Sequence, residues 1–278
     1  MRFASLGSGS RGNATLIEIA PDSLVLVDCG FSVKEMQRRA VAADVRLDTI
    51  QAIFVTHEHS DHSSGVAALS RHLEIPVYLT HGTLATGRLD NCYATQCFNA
   101  DDELGLEGYR VRAVAVPHDA REPVQFVFEA AQRRIGVLTD LGSITAHVAQ
   151  AFSDCDALLL EFNHDTQMLA VGPYPPALKR RVGGDWGHLS NVQALQLLAS
   201  LAHQNIQHLV IAHISEKNNC QKRVAELLGR ELPGLAQKTI FASQESGFSW
   251  LTVCAKASTS AGIQTATALA SGEAVGAY

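Results

Sequence analysis

The sequence predicts an α/β fold in which mixed β-sheet is covered by helices. Strands arrive both as close neighbours separated only by turns and as elements separated by helices, a pattern that a purely parallel doubly wound sheet would not give. Of the 278 residues, 46% are hydrophobic and 18% charged, enough apolar material for a substantial core. No apolar run approaches the ~18 residues of a membrane span.

Taken in order, Phe3 to Leu6, Ala14 to Ile19 and Leu24 to Asp28 read as strands, because β-branched and apolar residues alternate or run together between turn residues. The first two flank Gly7-Ser8-Gly9-Ser10-Arg11-Gly12, which matches the G-x-G-x-x-G dinucleotide fingerprint in letters. That fingerprint needs a helix N-terminus to hold the pyrophosphate, and Ala14-Thr15-Leu16-Ile17-Glu18-Ile19 is strand-like, so a glycine-rich hairpin loop is expected instead. A helix follows from Val33 to about Ala42, then the strand ending Ile53-Phe54-Val55-Thr56. Next come a helix over Ser63 to Leu73, with Val66, Leu69 and Leu73 on one face, and a short strand from Val77 to Leu79. Further strands fit Tyr109 to Val116, Val124 to Glu129, Arg134 to Thr139, Ala157 to Glu161, His208 to Ala212 and Phe248 to Val253. Helices fit Ile144 to Phe152, Val192 to Ala202 and Lys217 to Leu228.

One large domain is expected over residues 1–254, followed by a poorly ordered Ala/Ser/Thr/Gly-rich tail over 255–278. The N-terminal MRFASLGSGSRG has no signal-peptide apolar region, and Cys29, Cys92, Cys97, Cys155, Cys220 and Cys254 are scattered. A cytoplasmic protein with reduced thiols and no membrane partner is therefore expected. The net charge of −6 gives no overall attraction to a polyanion, so nucleic-acid binding would need a local basic patch. Lys179-Arg180-Arg181 is the one candidate, and an ordinary solvated helix face is the alternative reading.

The chemistry begins at His57-Glu58-His59-Ser60-Asp61-His62, directly after an apolar strand. In extended backbone, residues two apart face the same side, so His57 and His59 can grip one metal while Asp61 and His62 reach a second. Four groups cannot complete two coordination spheres, so further ligands must come from distant strand ends. His118 after Val114-Ala115-Val116-Pro117, Asp140 after Ile135-Gly136-Val137-Leu138-Thr139, and His213 after Leu209-Val210-Ile211-Ala212 stand at such ends, which makes seven candidate ligands. Imidazole and carboxylate ligands suit Zn²⁺ and also admit Mn²⁺ or Fe. Hydrolysis is the expected chemistry, since a water bridging two cations ionises near neutral pH to give a hydroxide nucleophile.

This ordered set resembles that of the metallo-β-lactamase-fold hydrolases over about residues 1 to 253. The resemblance implies an αβ/βα sandwich, two mixed β-sheets between helical layers, with two metals at one edge. It implies His57, His59 and His118 on one metal, Asp61, His62 and His213 on the other, and Asp140 as the bridge. It also implies that Asp28 orients the histidine cluster, as metal-bound imidazoles commonly donate their other N–H to a carboxylate; without it, Asp28 reads equally well as a turn residue.

Gly187-His188-Leu189-Ser190-Asn191 resembles a segment of tRNase Z in which a His acts near the scissile phosphate, so His188 joins Asp61 as a candidate catalytic residue, suited to give a proton to the leaving oxygen. Ser190 or Asn191 also reads as a helix cap. Together with Glu161-Phe162-Asn163-His164-Asp165, His213-Ile214-Ser215-Glu216-Lys217-Asn218-Asn219 and the opening glycine-rich loop, the chain resembles the YycJ/WalJ-like branch of the fold, which is associated with double-stranded DNA exonuclease activity. His164 and Asn218 are candidate substrate-binding or orienting residues by that resemblance. A DNA-cleaving phosphodiesterase is thus the leading expectation, a small-molecule thioester or lactone hydrolase the second, and a non-catalytic metal-binding scaffold the third.

Overall fold

The computed structural model of the protein describes residues 1–201 and 205–255. The first half runs β1 (Arg2–Gly7), β2 (Ala14–Ala20), β3 (Ser23–Val27), α1 (Val33–Ala42), β4 (Ile50–Phe54), α2 (Ser60–Ser63), α3 (Val66–Leu73), β5 (Pro76–Thr80), α4 (His81–Leu84) and β6 (Ala94–Phe98). The second half begins with β7 (Glu103–Leu106), β8 (Tyr109–Ala115), β9 (Val124–Ala130), β10 (Arg133–Leu138), α5 (Ala146–Phe152), β11 (Ala157–Glu161), α6 (Thr166–Val171) and α7 (Pro176–Val182). It continues through α8 (Asn191–Ser200), β12 (His208–Ala212), α9 (Gln221–Glu231), α10 (Pro233–Ala236), β13 (Thr239–Phe241) and β14 (Phe248–Thr252).

Among the described residues the strands form two seven-stranded sheets, ordered β14-β1-β2-β3-β4-β5-β6 and β13-β12-β11-β10-β9-β8-β7. Each sheet is mixed. β1 to β3 pair antiparallel and β3 to β6 parallel, while β7 to β10 pair antiparallel and β10 to β13 parallel. The period-two alternation of side chains explains the four layers. Val25, Val27, Ala52 and Phe54 of the first sheet meet Phe126, Phe128, Val137, Leu159 and Val210 of the second in one core. The opposite faces hold Leu24, Leu26, Ile53 and Val55 against Met36, Val66 and Leu69, and Leu138, Leu158, Leu160, Leu209 and Ile211 against Val148, Leu197, Val224 and Leu228. Phe54 pins the two sheets together, with ring centroids 5.6 Å from Phe126 and 5.5 Å from Phe128 in edge contacts.

The expected mixed, helix-covered α/β architecture, with two sheets between helical layers, is what the chain adopts. The differences are local. The helix expected over Ser63 to Leu73 is two pieces broken at Gly65, whose N–H bonds Cys29 O at 2.8 Å and whose added Cβ would lie 1.8 Å from Phe31 O. Close packing of the backbone thus takes precedence over helix continuity. The helix expected from Lys217 starts at Gln221, because Asn219 spends its amide on Phe162 O and Asn191 Oδ1, both at 2.8 Å. β6, β7 and β13 were not anticipated: β6 and β7 are short and largely exposed, and β13 has only three residues, so none carries a strong apolar signature. The glycine-rich stretch at 7–12 links β1 to β2 with no helix after it, as expected for a hairpin loop. The helix expected over Val192 to Ala202 is found as Asn191–Ser200; Ala202, and the tail expected over 255–278 beyond Ala255, lie outside the described residues.

Candidate metal centre and cleft

β3, β4, β8, β10, β11 and β12 bring the predicted ligands to one edge of the two sheets, just past their C-terminal ends, where α/β sheets present their ligand sites. Asp28 follows β3, His57 to His62 follow β4, His118 follows β8, Asp140 follows β10, Glu161 ends β11 and His213 follows β12. Asp28, Asp140 and His213 take left-handed backbone conformations, with φ of 61°, 54° and 49°. Such residues turn a strand abruptly at its tip, and Asp and His are among the non-glycine types that tolerate the region.

The structure brings all seven candidate ligands together. His57, His59 and His118 present donor atoms within 4.8 Å of one another, as do Asp61, His62 and His213. Asp140 lies between the two groups: its Oδ2 is 3.1 Å from His62 Nε2, and its Oδ1 is 4.0 Å from His118 Nε2 and 3.7 Å from His213 Nε2. The surroundings fix the tautomers. His62 Nδ1 donates to Asp28 Oδ2 at 2.7 Å and His118 Nδ1 to Gly187 O at 2.9 Å. Thr56 Oγ1 donates to Asp28 Oδ2 at 2.8 Å and so accepts from His57 Nδ1 at 2.9 Å. His57 and His118 therefore turn an unprotonated Nε2 inward, the form that binds a metal. At His62 burial disfavours the charged ring, but Asp140, Asp61 and Asp28 outweigh it and raise its pKa well above the ordinary value, so a cation would displace the proton on its Nε2.

Electrostatics agree with a cation site. Burial drives the His57 pKa well below the ordinary imidazole value, with the neighbouring His62 adding to the effect. His57 Nε2 is buried with no hydrogen-bond partner among the described residues, an orphaned acceptor that a cation would satisfy. Burial opposes ionisation of Asp140, but His213 and His62 outweigh it and hold its carboxylate well below the usual range. Burial raises the Asp28 pKa, the His62 charge acting against it. An anionic carboxylate amid inward-facing imidazole nitrogens is a donor set that fits two divalent cations.

The centre opens into a cleft of 390 Å³ lined by His59, Asp61, Asp140, His188 and His213, with Tyr174 and Arg181 also on its lining. His188 Nδ1 meets Glu161 Oε2 at 3.0 Å, and Glu161 Oε1 accepts the N–H groups of Leu141 at 2.6 Å and Leu189 at 3.2 Å. Burial disfavours the charged His188 ring, but the Glu161 carboxylate outweighs this and pushes its pKa up to about 9. Ser190 caps α8, with Gln193 completing a capping box, so the cap reading and the cleft position of His188 hold together.

His164 and Asn218, the other two predicted site residues, do not line the cleft. His164 is buried, its carbonyl accepts Asn191 N–H at 2.9 Å, and burial lowers its pKa to about 4. Asn218 is buried beneath α6, its N–H and amide on Ser215 Oγ at 3.2 and 3.3 Å. The cleft residues in these segments are Asn163 in the first and His213, Ile214 and Ser215 in the second. Sequence reasoning missed Glu161 and Asn13. Glu161 had a signal: a carboxylate closing a strand whose every residue is buried must have a dedicated partner. Asn13, whose amide lies 3.1 Å from His62 Nε2, had none.

Residues 24–214 match the family model of the beta-lactamase superfamily domain. The chain is 31% identical to exodeoxyribonuclease YycJ of Bacillus anthracis over 80% of its length and 85% of the relative's. It is 28% identical to exodeoxyribonuclease WalJ of Streptococcus pneumoniae, over 80% and 84%. The fold also matches Zn²⁺-bound PqqB from Methylobacterium extorquens with a TM-score of 0.67 at 18% identity, covering 91% of this chain and all of the other. The chain belongs to the beta-lactamase superfamily, among the relatives of YycJ and WalJ.

Proposed function

We propose that this member of the beta-lactamase superfamily is a metal-dependent phosphodiesterase that removes nucleotides from DNA ends. The observation that carries the reading is the Glu161–His188 pair, which holds His188 in the cleft that His59, Asp61, Asp140 and His213 of the donor set also line. His57, His59 and His118 would hold one cation, Asp61, His62 and His213 the other, with Asp140 shared; zinc suits these donors, and manganese or iron is compatible. Bound there, two cations supply a water of lowered pKa and neutralise charge gathering on the phosphoryl oxygens.

The chain's own residues do the rest. Asp28, Thr56 and Gly187 hold the His62, His57 and His118 rings by Nδ1, so each ring keeps its Nε2 directed at the donor cluster. Glu161 holds His188 by Nδ1, so the imidazolium has Nε2–H to give to the departing 3′ oxygen. A thiolate leaving group, with a parent pKa of about 8.5, departs with little need of a proton, whereas an alkoxide needs one. The pair therefore favours a phosphodiester over a thioester. A cleft of 390 Å³ is of small-ligand size and admits a strand end rather than a double helix, which supports digestion from ends. The names of the two exodeoxyribonuclease relatives support DNA as the polymer.

Residues 1–254 act as one hydrolase unit in this proposal. No described helix is long and apolar enough to cross a membrane. We place the activity in the cytoplasm, where six thiols with no disulfide among them are at home.

The test is incubation of metal-loaded protein with end-labelled duplex DNA, single-stranded DNA, RNA and a thioester panel, with Asp140→Ala as control. Loss of mononucleotides from DNA ends in wild type alone is expected. Hydrolysis confined to thioesters, or DNA cleavage equal in the variant, refutes the reading.

A further inference from the structure

We propose that Arg88 and Arg181 form a two-sided clamp on the phosphates flanking the scissile bond, and that Asp119 occupies the Arg181 side of that clamp in the substrate-free protein. The inference rests on the phosphodiester reading and deepens it by assigning the residues that grip the polymer.

The two arginines reach the cleft from different halves of the chain. Arg88, just past α4, donates through Nη1 to Glu58 O at 3.0 Å, which fixes it beside the 57–62 segment. Its side chain is exposed and makes no carboxylate pair among the described residues. Arg181 stands on α7, where Leu178, Arg181 and Val182 share one face and all line the cleft. The other basic residues of that helix are turned elsewhere: Lys179 Nζ donates to Ala170 O at 2.6 Å, and Arg180 is exposed outside the cleft. The structure thus selects one residue from the basic run.

α7 buries none of its own residues, yet its C-terminal end is tied to the metal centre. His188 N–H bonds Val182 O at 2.8 Å, and a Cβ on Gly187 would lie 2.2 Å from Arg181 O and 2.3 Å from Val182 O. Gly187 O in turn accepts His118 Nδ1–H at 2.9 Å. This backbone contact holds Arg181 at a fixed reach from the donor set. Its guanidinium pairs with Asp119, whose other oxygen is 3.7 Å from His59 Nε2 and 3.6 Å from His118 Nε2. The carboxylate therefore stands where an anionic oxygen contacts both the arginine and the histidine cluster, the position a substrate phosphate would take. A guanidinium recognises phosphate and carboxylate by the same forked geometry, so exchange of one for the other needs only a side-chain rotation.

The test is the salt dependence of binding, measured by fluorescence anisotropy. The probe is a fluorescein-labelled, phosphorothioate-linked single-stranded DNA bound to metal-loaded wild type, Arg88→Ala, Arg181→Ala and Arg180→Ala. Each clamp variant should bind about tenfold more weakly and lower the slope of log affinity against log salt by about 0.7, the value for one phosphate contact on a single strand. Arg180→Ala should change neither. Unchanged slopes in both clamp variants, an Arg180→Ala effect equal to theirs, or no binding by wild type would each overturn the clamp. Cleavage of unmodified DNA by wild type judges the nuclease reading separately: binding with the expected slopes but no cleavage would remove the nuclease and leave the clamp.

Discussion

Asp28→Asn isolates the contribution of a single carboxylate to the metal centre. Asp28 is 3% exposed; Oδ1 accepts Thr56 N–H at 2.8 Å, and Oδ2 accepts Thr56 O–H at 2.8 Å and His62 Nδ1–H at 2.7 Å. Asparagine tolerates the left-handed conformation at φ 61°, so the backbone is not confounded as it would be by alanine. Its carbonyl keeps the bond from Thr56 N–H, which turns the NH₂ against two donors. His62 can relieve that clash only by moving its proton to Nε2, the atom 3.1 Å from Asp140 and aimed at the cation position. A hydrogen bond to a charged group contributes about 1.5–3 kcal/mol, or about 10- to 100-fold in metal affinity, the range found when a partner of a metal-bound imidazole is removed. A 100-fold loss of affinity takes about 2.7 kcal/mol from the metal-linked stabilisation. Competition against a chromophoric zinc chelator reads the affinity, and the gain in Tm on adding zinc reads the linkage. A variant with intact circular dichroism, wild-type affinity and an undiminished Tm gain would refute the reasoning.

Glu161→Gln should lower kcat on DNA by about 10²-fold or more, the usual contribution of a positioned acid. A nitrophenyl phosphodiester, whose leaving group needs no proton, should lose far less; equal losses on both substrates would show that Glu161 only supports the fold. Gly30→Ala places a Cβ 2.0 Å from Asp61 O, a backbone atom, and should cost at least about 1–3 kcal/mol by overpacking together with a measurable loss of bound metal; wild-type Tm and metal content would contradict it. Burial raises the Cys29 and Cys155 thiols to about 12, so a thiol reagent near neutral pH should label the exposed Cys97, Cys220 and Cys254 in the native state and reach Cys29 and Cys155 only on unfolding. Peptide mapping of the labelled protein decides this.

Much of the fold was legible because its strands are strongly patterned. Ala157–Glu161 and His208–Ala212 have the bounds expected of their apolar runs, and Val33–Ala42 those of its helical pattern. α6 and α7 were not legible: unlike the seven-residue α5, which buries Val148, Ala151 and Phe152 on one face, α6 buries only Leu169 and α7 none of its residues, so neither carries an apolar stripe. The same gap hid Tyr174, just before α7, and left unread which residue of the Lys179-Arg180-Arg181 run faces the cleft.

The sequence by itself determined the donor set. Three histidines and an aspartate within six residues, and single ligand-type residues after β8, β10 and β12, are local facts that spacing and strand ends expose. Only the tertiary structure decided which residues serve that set and which do not. His164 and Asn218 read like site residues and do not line the cleft, although His164 is buried close enough to Glu161 and His188 to feel their charge, while Glu161, Asn13 and Arg181 meet site residues through contacts 27, 49 and 62 residues away in the chain. Each of these pairings joins a loop, strand end or short helix to another within the same half of the chain, fixed by backbone contacts such as Asn13 N–H to Asp61 O and His188 N–H to Val182 O. The donor set itself is closed by the packing of the two sheets around Phe54, Phe126 and Phe128, and neither kind of contact leaves a mark in the local pattern of its partners.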